Sequence, residues 1–141
     1  SPTPRAKQTA QIILKEHDVL LHEDERFKEV NFGVLEGLPC SFVDTLRLES
    51  TNWLEDLKLD YTSYQGENID DVIIRQQEVL KEIEKISNEE DCIVVVGHGC
   101  SLYALIKTLL KDEKLVFPEN ASAYILCKKN NEYKLEKYLR P

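Results

Sequence analysis

The sequence contains no apolar run that approaches the roughly 18 residues needed to cross a membrane. Its first residues also lack the apolar core of a secretory signal. Basic residues are few, 18 against 26 acidic ones, and the formal net charge is −8. Such a surface repels nucleic acid and anionic membranes, so neither is an expected partner. We expect a cytoplasmic protein that holds any anionic ligand at a local site.

Disulfide and metal-binding patterns are also missing. No Cys-x-x-Cys pair occurs among the four cysteines, Cys40, Cys92, Cys100 and Cys127. His17 and His22 have no ordered carboxylate or thiolate partners, so we interpret them as surface or capping residues. We predict no disulfide framework, no metal site and no cofactor.

The length of the chain limits its organisation. With 141 residues, of which 42% are hydrophobic, it can bury one ordinary core and is predicted to form one domain. Methionine is absent, and the first residues form a cap-like segment. We therefore expect the chain to begin within a longer protein.

Hydrophobic spacing predicts three helices. Thr3 is suited to cap a first helix over residues 4–16. Asn68 is suited to cap a long amphipathic helix over residues 69–86. A third helix is predicted over residues 101–110.

Apolar runs between these helices predict strands. Residues 92–96 form a continuous β-branched run, typical of a strand covered on both faces in a mainly parallel sheet, and residues 19–21 suit a short strand. Near the end, Asn130 and Asn131 tolerate the positive φ of a two-residue turn and predict a C-terminal antiparallel hairpin. The order of elements predicts a three-layer α/β/α fold, with a lid-like insertion at about residues 40–66 that holds two short helices.

The end of the predicted strand at residues 92–96 is a candidate anion site. Ligands of open α/β sheets bind beyond the carboxyl ends of the strands, and His98 lies two residues past that end. A helix follows at once, so its free N–H groups and positive dipole end face the same space. Taken alone, such a histidine is more often a hydrogen-bonded core residue.

Arg5 lies in the first turn of its predicted helix, where a cation opposes the dipole. A guanidinium grips phosphate oxygens two at a time, so an arginine at this place suits a phosphoryl group. A solvated surface arginine is the more common account of such a residue by itself.

Glu29 is a candidate general acid. The apolar side chains that follow it can screen its carboxyl group from water and raise its pKa: Val30, Phe32, Val34 and Leu35. Glu25 and Glu36 compete for the role, and a salt-bridged surface glutamate is the more common account of any one of them.

Five segments together resemble the histidine phosphatase superfamily, the phosphoglycerate mutase-like proteins. SPTPRAKQTAQII resembles their SP-x-x-RA-x-QTA segment, and EVNFGVLEG their E-x-x-FG-x-EG segment, with one residue more after the glycine. GENIDDVIIR resembles GES-x-x-D-V-x-x-R, with Asn68 in place of serine. VVVGHGCSL and PENASAYIL resemble the segments that carry the second histidine and the turn before the last strands. The resemblance covers nearly the whole chain, so residues 1–141 are interpreted as one histidine-phosphatase-like domain.

The resemblance implies hydrolysis of the phosphomonoester of a small phosphorylated metabolite. A histidine attacks phosphorus to form a phosphohistidine, which water then hydrolyses. Within this family pattern, Arg5 is similar to the second phosphate-binding arginine, Glu29 to the acid that protonates the leaving alcohol, and His98 to the second histidine at the phosphoryl oxygens. The backbone N–H groups of Gly99 and Cys100 are expected to assist.

One part of the family pattern is missing. The nucleophile of the family lies in an R-H-G segment at the end of its first strand, and no R-H-G occurs in these residues. Neither His17 nor His22 follows an arginine or precedes a glycine. We therefore expect about 50 further residues before Ser1 in the native protein, by ordinary α/β element lengths, and we expect residues 1–141 alone to be inactive.

The predicted lid bears on the choice between phosphatase and mutase. Mutases of the family carry a longer segment here, with paired arginines, whereas residues 40–66 hold only Arg47 and Lys58 as bases. This favours a small phosphatase over a phosphoglycerate mutase. A non-catalytic module that binds phosphate esters is a further alternative, and a homodimer is left open. An interaction domain would need an exposed apolar patch, which the sequence does not reveal.

Overall fold

The computed structural model describes residues 1–39, 41, 58–111 and 114–141. Its helices are α1 (Pro4–Leu14), α2 (Ile69–Ile86) and α3 (Gly99–Leu110), and its strands are β1 (Ala123–Lys129) and β2 (Glu132–Leu139). Short 3-10 turns occupy Glu25–Phe27, Gly33–Leu35 and Thr62–Tyr64. Most of the predicted lid, including its two predicted helices, lies outside the described residues.

Helix α2 confirms the predicted helix over residues 69–86. Asn68 caps it as predicted, because the side-chain oxygen accepts the backbone N–H of Asp71 at 2.8 Å. The apolar spacing turns one face of the helix inward, and the buried residues on that face are Ile69, Val72, Ile73, Gln76 and Val79.

Helix α1 begins as predicted and ends at Leu14, two residues before the predicted end. Ala6 and Ala10 are buried, whereas Ile13, expected on the same face, is exposed. The prediction that the Thr3 side chain caps the helix is wrong. The Thr3 hydroxyl instead lies 3.1 Å from Nε2 of His98, so it contacts a residue 95 positions further along the chain.

Helix α3 begins two residues before the predicted start, because His98 takes the N-cap position. The C-terminal hairpin is confirmed: Asn130 and Asn131 form its turn with φ of 52° and 63°. The hairpin is fastened to α2, where Glu84 accepts a hydrogen bond from the Tyr133 hydroxyl and pairs with Lys128.

The strands predicted at residues 19–21 and 92–96 are not formed in the described residues. Of the backbone groups of residues 92–97, Val96 O accepts a hydrogen bond from the backbone nitrogen of Ser1 at 2.8 Å, and no other backbone hydrogen bond joins this segment to the described chain. Val94 is 61% exposed, and residues 19–21 are exposed as well. The physical reason is that a strand needs a neighbour for its backbone groups, and the described residues place none there.

The predicted parallel sheet is therefore not met within the part of the chain that the structure describes, where the hairpin is the only sheet. The same segments expose the apolar surface that the sequence did not reveal. In the described residues, no helix combines the length and apolarity needed to cross a membrane.

The core joins α2 and α3 to two loops that approach the N-terminal end of α3. Its buried members come from residues 30–35, residues 59–61 and the two helices: Val30, Leu35, Leu59, Tyr61, Ile69, Val72, Ile73 and Ala104. Val30 is 2% exposed. Burial of this side chain anchors its neighbour Glu29 beside α3.

Candidate functional site

His98 is buried at the N-terminal end of α3, where the extended segment of residues 92–97 ends. Its Nε2 lies 2.9 Å from Oγ of Ser1 and 3.1 Å from Oγ1 of Thr3, at the start of α1. These contacts bring together residues that are more than 90 positions apart in the chain. The predicted site residue therefore faces the segment that carries Arg5.

Arg5 is exposed in the first turn of α1, and its guanidinium makes no hydrogen bond or ion pair with the residues that the structure describes. It lies near enough to His98 to influence that residue. Burial is the largest cause that lowers the pKa of His98; the Glu29 carboxylate opposes this effect, and the charge of Arg5 adds to it. The charges of Glu29 and Arg5 thus act on the pKa of His98 in opposite directions.

The lowered pKa leads to a test of this arrangement. Removing the positive charge in Arg5→Gln should raise the pKa of His98, and removing the negative charge in Glu29→Gln should lower it further. Titration of the His98 ring protons by NMR measures both shifts. Lys7→Gln, also on α1, is the control and should leave the pKa in place. An unchanged pKa in both variants would mean that the side chains are too far apart to interact.

Glu29 binds the N-terminal end of α3 through its carboxylate. Oε1 accepts the backbone N–H of Ser101 at 2.8 Å and that of Val30 at 3.1 Å, and Oε2 accepts the N–H of Cys100 at 3.2 Å. The first N–H groups of a helix have no partner within the helix, and its dipole favours an anion there. The half-buried carboxyl group is therefore held at the place predicted for chemistry.

The competing carboxylates have other contacts. Glu25 is exposed and pairs with Lys28, one turn away. Glu36 accepts the N–H of Phe32 at 3.0 Å and closes the turn at Gly33–Leu35. Of the apolar neighbours expected to screen the acid, Val30 and Leu35 are buried, whereas Val34 points to solvent. Glu29 is thus the one of these three glutamates that contacts α3.

The two backbone N–H groups predicted to bind phosphate, those of Gly99 and Cys100, differ in whether they have an acceptor in this structure. The N–H of Cys100 is donated to Glu29. The N–H of Gly99 has no acceptor among the described residues. A Cβ on Gly99 would lie 3.6 Å from the Phe117 ring, so an aromatic wall lies on one side of this backbone. Of these two N–H groups, that of Gly99 is therefore the one that the described residues leave available to an acceptor.

Two residues at the site were not assigned from the sequence. The Thr3 hydroxyl contacts His98, although the sequence indicated a helix cap. Arg75 of α2 pairs with Glu67 and donates to backbone carbonyls around Glu29. The sequence contained one signal for the pair of Arg75 and Glu67. These residues are eight positions apart within GENIDDVIIR, on either side of the start of a helix.

The arrangement combines groups that bind an anion with a group that can carry a proton. Arg5, His98 and the N–H of Gly99 offer donors, and Glu29 offers a carboxyl group beside them. In the described stretches of chain, no three His, Cys, Asp or Glu side chains are grouped to hold a metal ion. The geometry suits a phosphoryl group that is bound by positive charge and N–H donors.

The chain is similar to a known family and to individual proteins. Residues 1–139 match the family model described as histidine phosphatase superfamily (branch 1). The chain is 30% identical over 109 residues to the protein named "Probable phosphoglycerate mutase GpmB" of Serratia proteamaculans (strain 568), covering 75% of this chain and 49% of that protein. The chain spans about half the length of this curated relative.

Two solved structures share the fold. Bacillus stearothermophilus YhfR superposes with a TM-score of 0.78 at 22% identity, over 96% of this chain and 69% of its own. A mycobacterial glucosyl-3-phosphoglycerate phosphatase, solved with VO3, gives a TM-score of 0.76 at 24% identity, over 94% of this chain and 69% of its own. At these identities the likeness concerns the α/β fold.

Proposed function

The chain belongs to the histidine phosphatase superfamily, and from this premise we propose that the complete protein hydrolyses phosphomonoesters through a phosphohistidine intermediate. The observation that carries the proposal is the N-terminal end of α3: there His98 contacts the start of the helix that carries Arg5, and Glu29 accepts the first N–H groups of α3. The substrate class is a small phosphorylated metabolite.

In the first step, a histidine nitrogen forms a bond to phosphorus while the ester P–O bond breaks. Protonated Glu29 gives its proton to the departing alcohol oxygen. Arg5, His98 and the N–H of Gly99 stabilise the charge on the phosphoryl oxygens. In the second step, Glu29 takes a proton from water as the water oxygen attacks phosphorus. The N–P bond then breaks, which releases phosphate and restores both residues.

The nucleophile is proposed to come from a segment of the complete protein that precedes Ser1. His17 and His22 are both exposed, beyond the end of α1. Residues 92–97 support the proposal, because most of their backbone groups have no partner among the described residues and apolar side chains are exposed directly before His98. A parallel strand beside them would end at His98, where ligands of α/β sheets bind.

Turnover of p-nitrophenyl phosphate by the complete protein tests the proposal. His98→Asn should lower kcat/KM by about 10²- to 10³-fold, the usual loss when one donor to a developing oxyanion is removed. His22→Asn, at an exposed position, is the matched control and should keep wild-type turnover. Phosphate binding without any turnover would favour a non-catalytic binding module. Full activity of His98→Asn would remove His98 from the site.

A phosphoglycerate mutase is the second candidate, because the chain is 30% identical to a protein of that name. A mutase must also hold the carboxylate of phosphoglycerate, and residues 40–66 offer Arg47 and Lys58 as the only bases for this. Incubation with 3-phosphoglycerate separates the two activities. A phosphatase releases inorganic phosphate, whereas a mutase produces the isomeric phosphoglycerate.

A further inference from the structure

We propose that Arg75 is a positioning residue, which sets the place of the Glu29 carboxyl group by holding the backbone of residues 26–31. The effect of Arg75 on turnover rests on the proposed function. Its effect on the position of the Glu29 carboxyl group does not. Arg75 lies on α2, and Glu29 lies in the loop that α2 covers.

All five N–H donors of the Arg75 guanidinium are used. Nε donates to Oε1 of Glu67 at 3.0 Å, and Nη2 donates to Oε2 of Glu67 at 3.0 Å. The remaining three bonds go to backbone carbonyl groups: Nη1 donates to Arg26 O and, at 3.0 Å, to Lys28 O, and Nη2 donates to Glu29 O at 3.1 Å. One side chain therefore fixes three carbonyls within four residues.

Glu67 fastens the far end of the same segment. Its backbone N–H donates to Asn31 O at 2.9 Å, and its Oε2 accepts the Asn31 N–H at 2.9 Å. The Arg75 side chain is only 17% exposed, so loss of its donors would leave carbonyl groups with poor access to water. Arg75 and Glu67 together hold both ends of the backbone that carries Glu29.

This hold matters because the acid must lie within hydrogen-bond reach of the leaving oxygen. The Glu29 carboxylate is aligned with the N–H groups of Cys100 and Ser101, and its own carbonyl is bound by Arg75. A small displacement of the backbone therefore moves the carboxyl group away from α3. Lysine cannot replace this arginine, since an ammonium is a point charge with three donors and no planar fork.

A role in stability alone would predict a different result from a role in positioning. If Arg75→Lys merely reduced the folded fraction, every substrate would lose the same proportion of activity. If it displaces the acid, the loss depends on the leaving group, because a poor leaving group needs a proton and a good one does not. The ratio of two substrates on one protein sample is independent of the folded fraction.

In the complete protein, Arg75→Lys should lower kcat/KM for phenyl phosphate by about 10- to 100-fold, the size expected for a misplaced catalytic group. The value of kcat/KM covers only the steps up to release of the alcohol, so kcat/KM for 2,4-dinitrophenyl phosphate should be nearly unchanged. Arg26→Lys is the matched control: the Arg26 side chain pairs with Asp24 and Glu82, and its replacement should leave the ratio unaltered. In a Glu29→Gln background, Arg75→Lys should add no further dependence on the leaving group.

A second measurement does not require turnover. The backbone amide resonances of Cys100 and Ser101 report their hydrogen bonds to Glu29. Both Glu29→Gln and Arg75→Lys should shift these two resonances, whereas Arg26→Lys should not. Unmoved resonances in Arg75→Lys, or an equal loss on both substrates, would overturn the positioning role. If the complete protein hydrolyses neither ester, the proposed function fails, and the amide shifts still decide the role of Arg75.

Discussion

Glu29→Gln is expected to slow hydrolysis of phenyl phosphate by about 10²- to 10⁴-fold, the range that a positioned general acid contributes. Glutamine keeps the size of the side chain and cannot give a proton to the leaving oxygen. It also loses one acceptor from a group that receives the N–H bonds of Val30, Cys100 and Ser101. Both changes slow the step in which Glu29 transfers a proton to the leaving oxygen.

The measurement compares kcat/KM for phenyl phosphate and 2,4-dinitrophenyl phosphate in the complete protein, because kcat/KM excludes the later hydrolysis of the phosphohistidine, in which Glu29 is the proposed base. The second ester has a good leaving group, so kcat/KM of Glu29→Gln on it should lie much closer to that of the wild type. Glu36→Gln is the control, because Glu36 closes a turn and does not contact α3. Equal losses on both esters would show that Glu29 does not act as the acid.

Gly33→Ala is expected to lower the free energy of unfolding by about 2 to 5 kcal/mol, from roughly 1–2 for a left-handed alanine and 1–3 for overpacking. Gly33 has a φ of +61°, and a Cβ there would lie 1.9 Å from Tyr64 O and 2.6 Å from Gly66 N. These are backbone atoms, which cannot turn aside as a side chain can. The loop that follows Glu29 would have to separate from residues 61–66.

Urea denaturation of the variant and the wild type measures this loss. Gly37→Ala is a close control, since Gly37 has a φ of +78° with nothing within 4 Å of its added Cβ. It should show the conformational cost alone, about 1–2 kcal/mol. Equal losses in the two variants would mean that the close approach at Gly33 contributes nothing.

The sequence predicted those elements whose signals are local. The cap at Asn68 and the spacing of apolar residues gave α2 its correct bounds, because both act within a few residues of one another. The hairpin followed from Asn130 and Asn131, whose tolerance of positive φ is a property of the residues themselves. The position and type of such elements can therefore be predicted from a short window of sequence, although their stability comes from packing.

The predicted strands failed for the opposite reason. The apolar β-branched run at residues 92–96 indicates only that a strand is favourable there. Formation of the strand depends on an adjacent strand, which this run does not encode. The described structure places no such neighbour there, and the segment forms no strand.

Only some of the contacts at the candidate site follow from local signals. Arg5, Glu29 and His98 were identified by their local settings at helix starts and by family resemblance; in the structure His98 contacts the start of the helix that carries Arg5, and Glu29 accepts N–H groups of α3. The contact of Thr3 with His98 spans 95 positions, and the bonds of Arg75 to residues 26–29 span 46 to 49, so no local pattern names these partners. A hydroxyl before a helix predicts a cap, and an arginine within a helix predicts a surface charge.

The number of residues between two hydrogen-bonded partners also affects the order in which contacts form during folding. The hairpin closes through two residues, an event that takes roughly 1–10 μs. The Arg75 bonds to residues 26–29 span 46 to 49 positions, so they must await the closure of a long loop and the docking of α2. During refolding, catalytic competence should consequently trail the appearance of secondary structure.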